Sequence, residues 1–327
     1  MILKNRKTIL TILIRFLLVI MVAALAASGA AAQNNKERAD RIQNQVESIA
    51  LASGIEGRRA AIIERIEGMG LESTITRFDP PVYARVDRPG ANITAELPGQ
   101  GPTVLLLGAH YDSDEAAQGV IDNAAGVAAV LDLAEAFLEK PMQNIKIAIA
   151  FFDLEEDGLL GSRAMVADSL NSPLPDIFLN FDVFGYGDGL WIGAENPDGL
   201  LPQLIRDHGK AKNLEAIADS IYPPSDHISF RQTRTDSYGI SLLDASDIYL
   251  LLELFQTGSL VDGKIPRILT IIHTKEDTMD KLDAEAVARG IGAIEQALRQ
   301  FDLHLEHSGT GLTGNSNHQG WQINAIP

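Results

Sequence analysis

From residue 103 onward, two patterns of apolar residues alternate along the chain. Uninterrupted apolar runs such as TVLLLG and IKIAIAFF are typical of strands buried on both faces of a sheet. The segments between them carry apolar residues at helical spacing or many small residues, as in helices that pack on a sheet. Strands that alternate with helices predict an α/β fold, with a sheet covered by helices on both faces.

The boundaries of these elements follow from the apolar runs and from the glycines and prolines that interrupt them. The predicted strands of this region are Thr103–Gly108, Ile145–Phe152, Ile177–Phe184, Leu190–Ala194 and Arg267–Ile272. The predicted helices are Asn123–Lys140, Gly161–Leu170 and Asp283–Phe301. Upstream, residues 36–68 are predicted to be helical, and short extended runs follow at Thr74–Phe78 and Asn92–Leu97. No internal boundary interrupts residues 33–305, so a single globular domain is expected.

Both ends of the chain are expected to lie outside that domain. Residues 1–32 contain four basic residues and no acidic one, an apolar run from Phe16 to Ala27, and small residues before Gln33, as in a secretory signal peptide. A membrane anchor is the alternative, but this run is shorter than the ~20 residues that span a bilayer. Residues 306–327 are rich in Gly, Ser, Thr and Asn and are predicted to form a flexible tail. We therefore expect a secreted or periplasmic protein with no stable membrane anchor after cleavage.

Charge and cysteine content narrow the possible partners. Without the four basic residues of the first 32, 23 basic residues remain against 44 acidic ones, a formal balance of −21. Such a surface repels nucleic acids and anionic membranes, so nucleic acid is not expected as a partner. Because the chain contains no cysteine, a metal site would have to use histidine, aspartate and glutamate.

Residues able to bind a metal follow the predicted strands. They are His110 and Asp112 after the first strand, Glu155 and Glu156 after the second, Asp182 in the third, His273 after the last, and Asp122 ahead of the first helix. Open α/β sheets place their ligand sites at the carboxyl ends of strands, so these side chains are expected to meet at one edge.

Each of these residues also has an ordinary structural explanation. Asp122 ahead of a helix is commonly an N-cap, and adjacent glutamates on a loop are commonly solvated charges. Asp182 is harder to explain in this way, because an unpaired carboxylate in a buried strand costs on the order of several kcal/mol. The ordinary explanations would have to hold for all of these residues together, which favours a shared metal site.

Five segments in this order resemble the co-catalytic zinc aminopeptidases typified by bacterial leucyl aminopeptidase, a family that also includes glutamate carboxypeptidases and glutaminyl cyclases. The segments are GAHYDS, VIDNAAG, DLEEDGLLGS, NFDVFG and IHTKEDTMDKLD, and they cover about residues 100 to 300. The resemblance implies a mixed, mainly parallel central sheet flanked by helices, two Zn²⁺ ions per chain and peptide substrates.

The resemblance also implies a role for each matching residue. His110 and Asp182 would hold one zinc ion, Glu156 and His273 the other, and Asp122 would bridge them. Glu155 would be the general base, and Asp112 would orient the imidazole of His110.

Tyr222 is a further candidate for the catalytic site. It precedes SDHISF (residues 225–230), which resembles the SDHxxF element that lines the family's substrate pocket. Tyr222 would then donate a hydrogen bond to the developing oxyanion, and the alternative is a tyrosine packed on a Pro-Pro turn. Residues 231–238 and 256–265 depart from the family pattern where its members shape the side-chain pocket.

The resulting prediction is an exported metalloaminopeptidase, with three alternatives. A glutaminyl cyclase on the same scaffold usually has DSA at the bridging motif, where this chain has Asp122-Asn123-Ala124. A carboxypeptidase would need basic groups for the substrate's carboxylate, for which Arg231 and Arg234 are candidates. A metal-free binding domain would have lost ligands, whereas all the ligand positions are intact here.

Overall fold

A computed structural model describes residues 33–82, 84, 86–169 and 173–308 of the chain. The predicted signal peptide, residues 1–32, and residues 309–327 of the predicted tail lie outside this range. The last helix continues to Ser308, slightly beyond the predicted end of the domain. Within the described part of the chain, no helix combines the length and the apolar character needed to cross a membrane.

One eight-stranded sheet forms the centre of the fold, in the order β1-β2-β4-β3-β5-β8-β6-β7. The strands are β1 Thr74–Phe78, β2 Gly90–Glu96, β3 Thr103–His110, β4 Ile145–Phe152, β5 Ile177–Phe184, β6 Gly189–Gly193, β7 Glu215–Asp219 and β8 Asp236–Leu243. The four central strands β4, β3, β5 and β8 run parallel, while β1, β2 and β6 join through antiparallel pairings. The expected mixed, mainly parallel sheet is confirmed.

The helices cover both faces of this sheet. They are α1 (residues 33–50), α2 Gly54–Gly68, α3 Ala125–Glu139, α4 Leu160–Ala167, α5 Leu200–Ala211, α6 His227–Phe230, α7 Ala245–Thr257 and α8 Ala284–Ser308. Leu105, Leu107 and Leu179 point into the larger core, which α1, α2, α3 and α8 complete. Leu106 and Phe178 point the other way, into a smaller core closed by Phe230 of α6 and by α4. This alternation follows from the two-residue period of a strand.

The N-terminal helices are tied to the rest of the domain by buried charges. Arg38 of α1 forms an ion pair with Asp132 of α3 at 2.6 Å and another with Glu295 of α8 at 2.8 Å. Asp132 is 1% exposed, so its carboxylate depends on this pairing.

Several sequence predictions need correction. The predicted strand Arg267–Ile272 is wrong, because Arg267–Thr270 form a short 3-10 helix followed by turns. Ile268, Leu269 and Ile272 of this run line a pocket, and none of its residues belongs to the sheet. The predicted helix at residues 36–68 is two helices separated by a break at 51–53. Strands β7 and β8 and helix α7 were not predicted.

Candidate metal centre

The first group of potential ligands lies at the carboxyl ends of β3 and β5. His110 is the last residue of β3, and Asp182 lies near the end of β5. His110 Nε2 is 3.1 Å from Asp122 Oδ1 and 3.4 Å from Asp182 Oδ1. One ligand atom from each of these residues lies within 4.8 Å of the others, which is the spacing of three ligands around one cation.

The second group shares Asp122 with the first. His273 Nε2 is 3.2 Å from Asp122 Oδ2 and 3.1 Å from Glu156 Oε2, and these three ligand atoms also lie within 4.8 Å of one another. Each of the two Asp122 oxygens therefore faces a different histidine. His273 reaches the site from a turn, and not from the end of a strand as the sequence predicted.

Asp112 connects these groups to the adjacent glutamates. Its Oδ1 accepts a hydrogen bond from the N–H of Glu155 at 3.1 Å, and its Oδ2 accepts one from the N–H of Glu156 at 3.2 Å. The same Oδ1 lies 3.4 Å from Nδ1 of His110. A carboxylate beside the second ring nitrogen sets the tautomer and orientation of a metal-binding imidazole.

The electrostatics of the site favour positive charge between the carboxylates. Hydrogen bonds to Asp122 and Glu156 raise the pKa of His273 to about 11. Burial alone would lower the pKa of His110, but Glu155 and the hydrogen-bonded carboxylates raise it well above its usual value. Burial raises the pKa of the Glu155 carboxyl, which marks it as a group able to take up a proton. Imidazole nitrogens and carboxylate oxygens without thiolates suit zinc, manganese or cobalt, so the residues present fit a divalent metal pair.

The backbone is unusual beside several of these side chains. Leu154 precedes Glu155 with φ 61°, Val183 follows Asp182 with φ 53°, and His273 itself has φ 57°. A positive φ is rare for residues other than glycine, above all for a β-branched one, and such residues cluster at functional sites. The peptide bond between Asp122 and Asn123 is cis.

Asp277 is a site residue to which the sequence motif IHTKEDTMDKLD alone assigns no role. It is fully buried, and its two oxygens accept hydrogen bonds from the N–H groups of Ile121 at 2.7 Å and Asp122 at 3.2 Å. Asp277 thus holds the turn that carries the shared carboxylate. Its position four residues after His273 in the same motif was the available signal.

An apolar pocket of about 190 Å³ opens beside the two groups. Four members of the groups, Asp122, Glu156, Asp182 and His273, border it, and so does Glu155, which belongs to neither group. Its remaining walls are mainly apolar and consist of Val183, Trp191, Tyr222, Pro223, Pro224, Ser241, Leu243, Leu251, Phe255, Ile268, Leu269 and Ile272. Among these described residues there is no lysine or arginine, and neither Arg231 nor Arg234 reaches the pocket.

Tyr222 lies in the wall of this pocket. Its hydroxyl is 2.5 Å from Ser241 Oγ, which in turn donates to the carbonyl of Asp182 at 2.6 Å. Because Ser241 gives its hydrogen to that carbonyl, Tyr222 must be the donor to Ser241. The ring packs so closely on Gly193 and Gly239 that a Cβ at either position would lie within 2.4 Å of it.

The remaining histidines with described surroundings, His208, His227 and His304, belong to neither group. His227 is buried against Tyr222 with ring centroids 5.2 Å apart, and burial lowers its pKa to about 3, as expected for a structural histidine. His208 contacts Gln300 at an exposed position.

Comparison with known proteins identifies the family of this arrangement. The sequence profile of peptidase family M28 matches residues 92–297, well over half of the chain. The chain belongs to peptidase family M28. The resemblance inferred from the five segments is therefore confirmed.

The similar proteins include one named as a leucine aminopeptidase. Leucine aminopeptidase 2 of Arthroderma otae is 32% identical over 283 residues, covering 77% of this chain and 54% of its own length. Leupeptin-inactivating enzyme 1 of Streptomyces exfoliatus is 30% identical over 192 residues, covering 55% of this chain and 42% of its own. The chain thus spans about half the length of these relatives.

Solved structures share the fold at low sequence identity. A zinc aminopeptidase from Bacillus subtilis has a TM-score of 0.63 at 13% identity, covering 81% of this chain and 95% of its own. A glutaminyl cyclase from Bacteroides thetaiotaomicron has a TM-score of 0.62 at 16% identity, covering 80% and 97%. The fold alone does not separate these two activities.

Proposed function

We propose that this M28 protein is an aminopeptidase that uses two zinc ions to hydrolyse the first peptide bond of its substrates. The observation that carries this proposal is the pair of three-residue ligand groups that share Asp122. A single carboxylate that faces two histidines, one through each oxygen, is suited to bridge two cations.

We assign the ligands accordingly. His110 and Asp182 would hold one zinc ion, Glu156 and His273 the second, and Asp122 would bridge them. Asp112 would fix the imidazole of His110 and the main chain of both glutamates. The chemistry that such ions would supply is polarisation of the scissile carbonyl and a lowered pKa of the attacking water.

Glu155 is the residue we assign to proton transfer. Its carboxylate borders the pocket beside Asp122 and Asp182 and is not a member of either ligand group. Its raised pKa suits a group that takes the proton of the attacking water and then gives it to the leaving amine.

Tyr222 is assigned to the carbonyl oxygen of the substrate. Its hydroxyl is a hydrogen-bond donor in the pocket wall, and it would turn from Ser241 to that oxygen as negative charge develops. Ser241 would keep its bond to the Asp182 carbonyl and preserve the geometry of that strand.

The pocket supports the choice of the amino end. Its apolar walls suit an apolar first side chain, and its carboxylates suit a protonated or metal-bound amine. The absence of lysine and arginine among its described lining residues argues against recognition of a substrate carboxylate, and so against a carboxypeptidase.

Glutaminyl cyclase is the second candidate, since cyclases and aminopeptidases match the fold equally well. We favour the aminopeptidase because the bridging motif is Asp122-Asn123-Ala124 and not DSA, and because the curated relatives with 30–32% identity include a leucine aminopeptidase. Export through residues 1–32, to the periplasm or the medium, is part of the same proposal, with peptides and not nucleic acids as partners.

The deciding experiment combines metal analysis with product analysis. We expect about two zinc ions per chain, loss of activity with a chelator, and recovery when a divalent metal is added back. A leucyl dipeptide should be hydrolysed, and its N-acetylated form should not, because the groups that bind the amine would be left buried and unpaired. Mass spectrometry of the products would overturn the proposal by showing release from the carboxyl end, internal cleavage, or cyclisation of N-terminal glutamine.

A further inference from the structure

Helix α2 places a buried arginine directly behind the metal centre. Arg58 is 5% exposed and belongs to a part of the chain that precedes the segment matched by the family profile, residues 92–297. None of the roles assigned above involves this residue.

The guanidinium of Arg58 binds two points on one connection. Its Nη1 donates to the carbonyl of Tyr111 at 3.2 Å, and its Nη2 donates to the carbonyl of Gln118 at 2.5 Å. Tyr111 lies between His110 and Asp112, and Gln118 lies four residues before Asp122. The connection that separates His110 from the shared Asp122 is therefore held at both of its ends by one rigid, planar group.

The next residue of α2 strengthens this attachment. Arg59 Nε donates to the hydroxyl of Tyr111 at 3.0 Å, and that hydroxyl donates to the carbonyl of Ala91 at 2.6 Å. Tyr111 is fully buried. Two adjacent arginines thus fix the residue between His110 and Asp112, one through its main chain and the other through its side chain.

Arg58 also brings a permanent positive charge to an acidic region. The carboxylates that stabilise this charge are Asp112, Asp277, Asp122 and Glu156, all at the metal centre. Among the described residues, none of these carboxylates forms a direct ion pair with it, since both of its hydrogen bonds go to carbonyls. The charge alone would repel a metal ion, whereas the two hydrogen bonds favour binding by holding the ligands in place.

We propose that Arg58 is a positioning residue for the metal pair. Its two hydrogen bonds form a clamp on residues 111–118, and this clamp strengthens metal binding more than the positive charge of Arg58 weakens it. The clamp keeps His110 and Asp122 facing each other at 3.1 Å. This inference rests on the proposed two-metal function, and it adds that a helix outside the family segment sets the affinity of the site.

The test measures metal binding and not only turnover. Purified full-length protein, metal-free, is titrated with zinc against a competing chelator in the wild type, Arg58→Met, Arg58→Lys and Arg65→Met. We expect Arg58→Met to bind zinc about 10–100-fold more weakly, as found for residues that orient metal ligands. Arg58→Lys keeps the charge but cannot hold both carbonyls, so its loss should be intermediate.

Arg65→Met is the matched control. Arg65 lies on the same helix, and its side chain pairs with Glu135 of α3 at 2.6 Å, away from the metal centre. It should bind zinc as tightly as the wild type. In cobalt-loaded protein, the absorption spectrum of Arg58→Lys should differ from that of the wild type, while the spectrum of Arg65→Met should superimpose on it.

Each result has a defined meaning. Equal or tighter zinc binding by Arg58→Met would overturn the inference, because the charge would then outweigh the clamp. If Arg58→Met does not fold, the affinity and cobalt spectrum of Arg58→Lys decide, and wild-type values for both would overturn it. A wild-type chain that binds no metal would instead refute the proposed function on which the inference depends.

Discussion

Replacing Asp112 with asparagine should weaken zinc binding at the metal centre without unfolding the protein. The Asp112 carboxylate accepts from the N–H groups of Glu155 and Glu156, one through each oxygen, and one oxygen also faces His110. Asparagine supplies one acceptor oxygen and one N–H₂ group in place of two acceptors. In either orientation of the amide, at least one glutamate N–H faces a donor and loses its hydrogen bond.

The expected magnitude follows from that single lost bond. Leaving a buried N–H unpaired costs about 1–3 kcal/mol. Loss of a group that orients metal ligands typically lowers affinity or activity by about 10–100-fold, which corresponds to ~1.4–2.8 kcal/mol. The two ranges agree, so we expect Asp112→Asn to lower the zinc affinity by about 10–100-fold.

The assay compares Asp112→Asn with Asp114→Asn, which removes the same charge from a partly exposed loop residue of the same connection. The Asp114 carboxylate accepts a hydrogen bond from the nearby N–H of Ala116, for which asparagine keeps an acceptor oxygen. The main-chain N–H of Asp114 donates to Glu156 Oε1 at 3.1 Å and is unchanged by this replacement, so zinc binding should stay unchanged. Zinc affinity is measured by competition with a chelator, and kcat/KM with a leucyl arylamide. Wild-type zinc affinity in Asp112→Asn would refute the assigned role of this carboxylate.

Three further predictions address separate residues. Glu155→Gln should retain two zinc ions and lose about 10²–10⁴-fold in kcat, whereas Glu156→Gln should weaken zinc binding at one site. If metal analysis and kinetics show the reverse, the roles assigned to the two glutamates must be exchanged. Tyr222→Phe should lower kcat by about 10²–10³-fold with little change in KM, and an unchanged kcat would leave this residue as a pocket wall only. Burial would raise the pKa of Glu295, but Arg38 and Arg299 lower it below its usual value. The ionised form of Glu295 therefore stabilises the fold above the unfolded pKa of about 4.3. This contribution to stability is lost as the pH falls through the lower pKa of the folded state. Urea unfolding should therefore show that Glu295→Gln costs about 1 kcal/mol at pH 7 and less at pH 4, and equal costs at both pH values would contradict this assignment.

The sequence predicted three of the four central strands, β3, β4 and β5, but missed the fourth, β8. Ile145–Phe152 and Ile177–Phe184 are strands with the predicted bounds, because long apolar runs leave few alternatives. Strand β8 escaped because its sequence DSYGISLL mixes polar and apolar residues. Gly239 within it is required by the ring of Tyr222, which packs where a side chain would otherwise stand. A contact of this kind, between distant residues, leaves no local pattern in the sequence.

The candidate site was predicted from residue identities, but its supporting structure was not. Predicted strand ends brought His110, Asp182 and His273 to one edge, although the run before His273 is a short helix and not a strand. Asp277 and Arg58 act through main-chain N–H and carbonyl groups, which have the same chemistry at every residue. Such contacts carry no sequence signal of their own, so only the folded chain reveals them.

The buried ion pair between Arg38 and Asp132 bears on how this domain can be moved between proteins. A transplant limited to residues 92–297 would carry Asp132 without Arg38 and strand β2 without its neighbour β1. The Asp132 carboxylate would then be a buried charge without its arginine partner, and β2 would be an unpaired edge of the sheet. Both features promote misfolding and self-association. A transferred domain that folds must begin upstream of Arg38. The segment that can be moved between proteins is therefore longer than residues 92–297, by which the family is recognised.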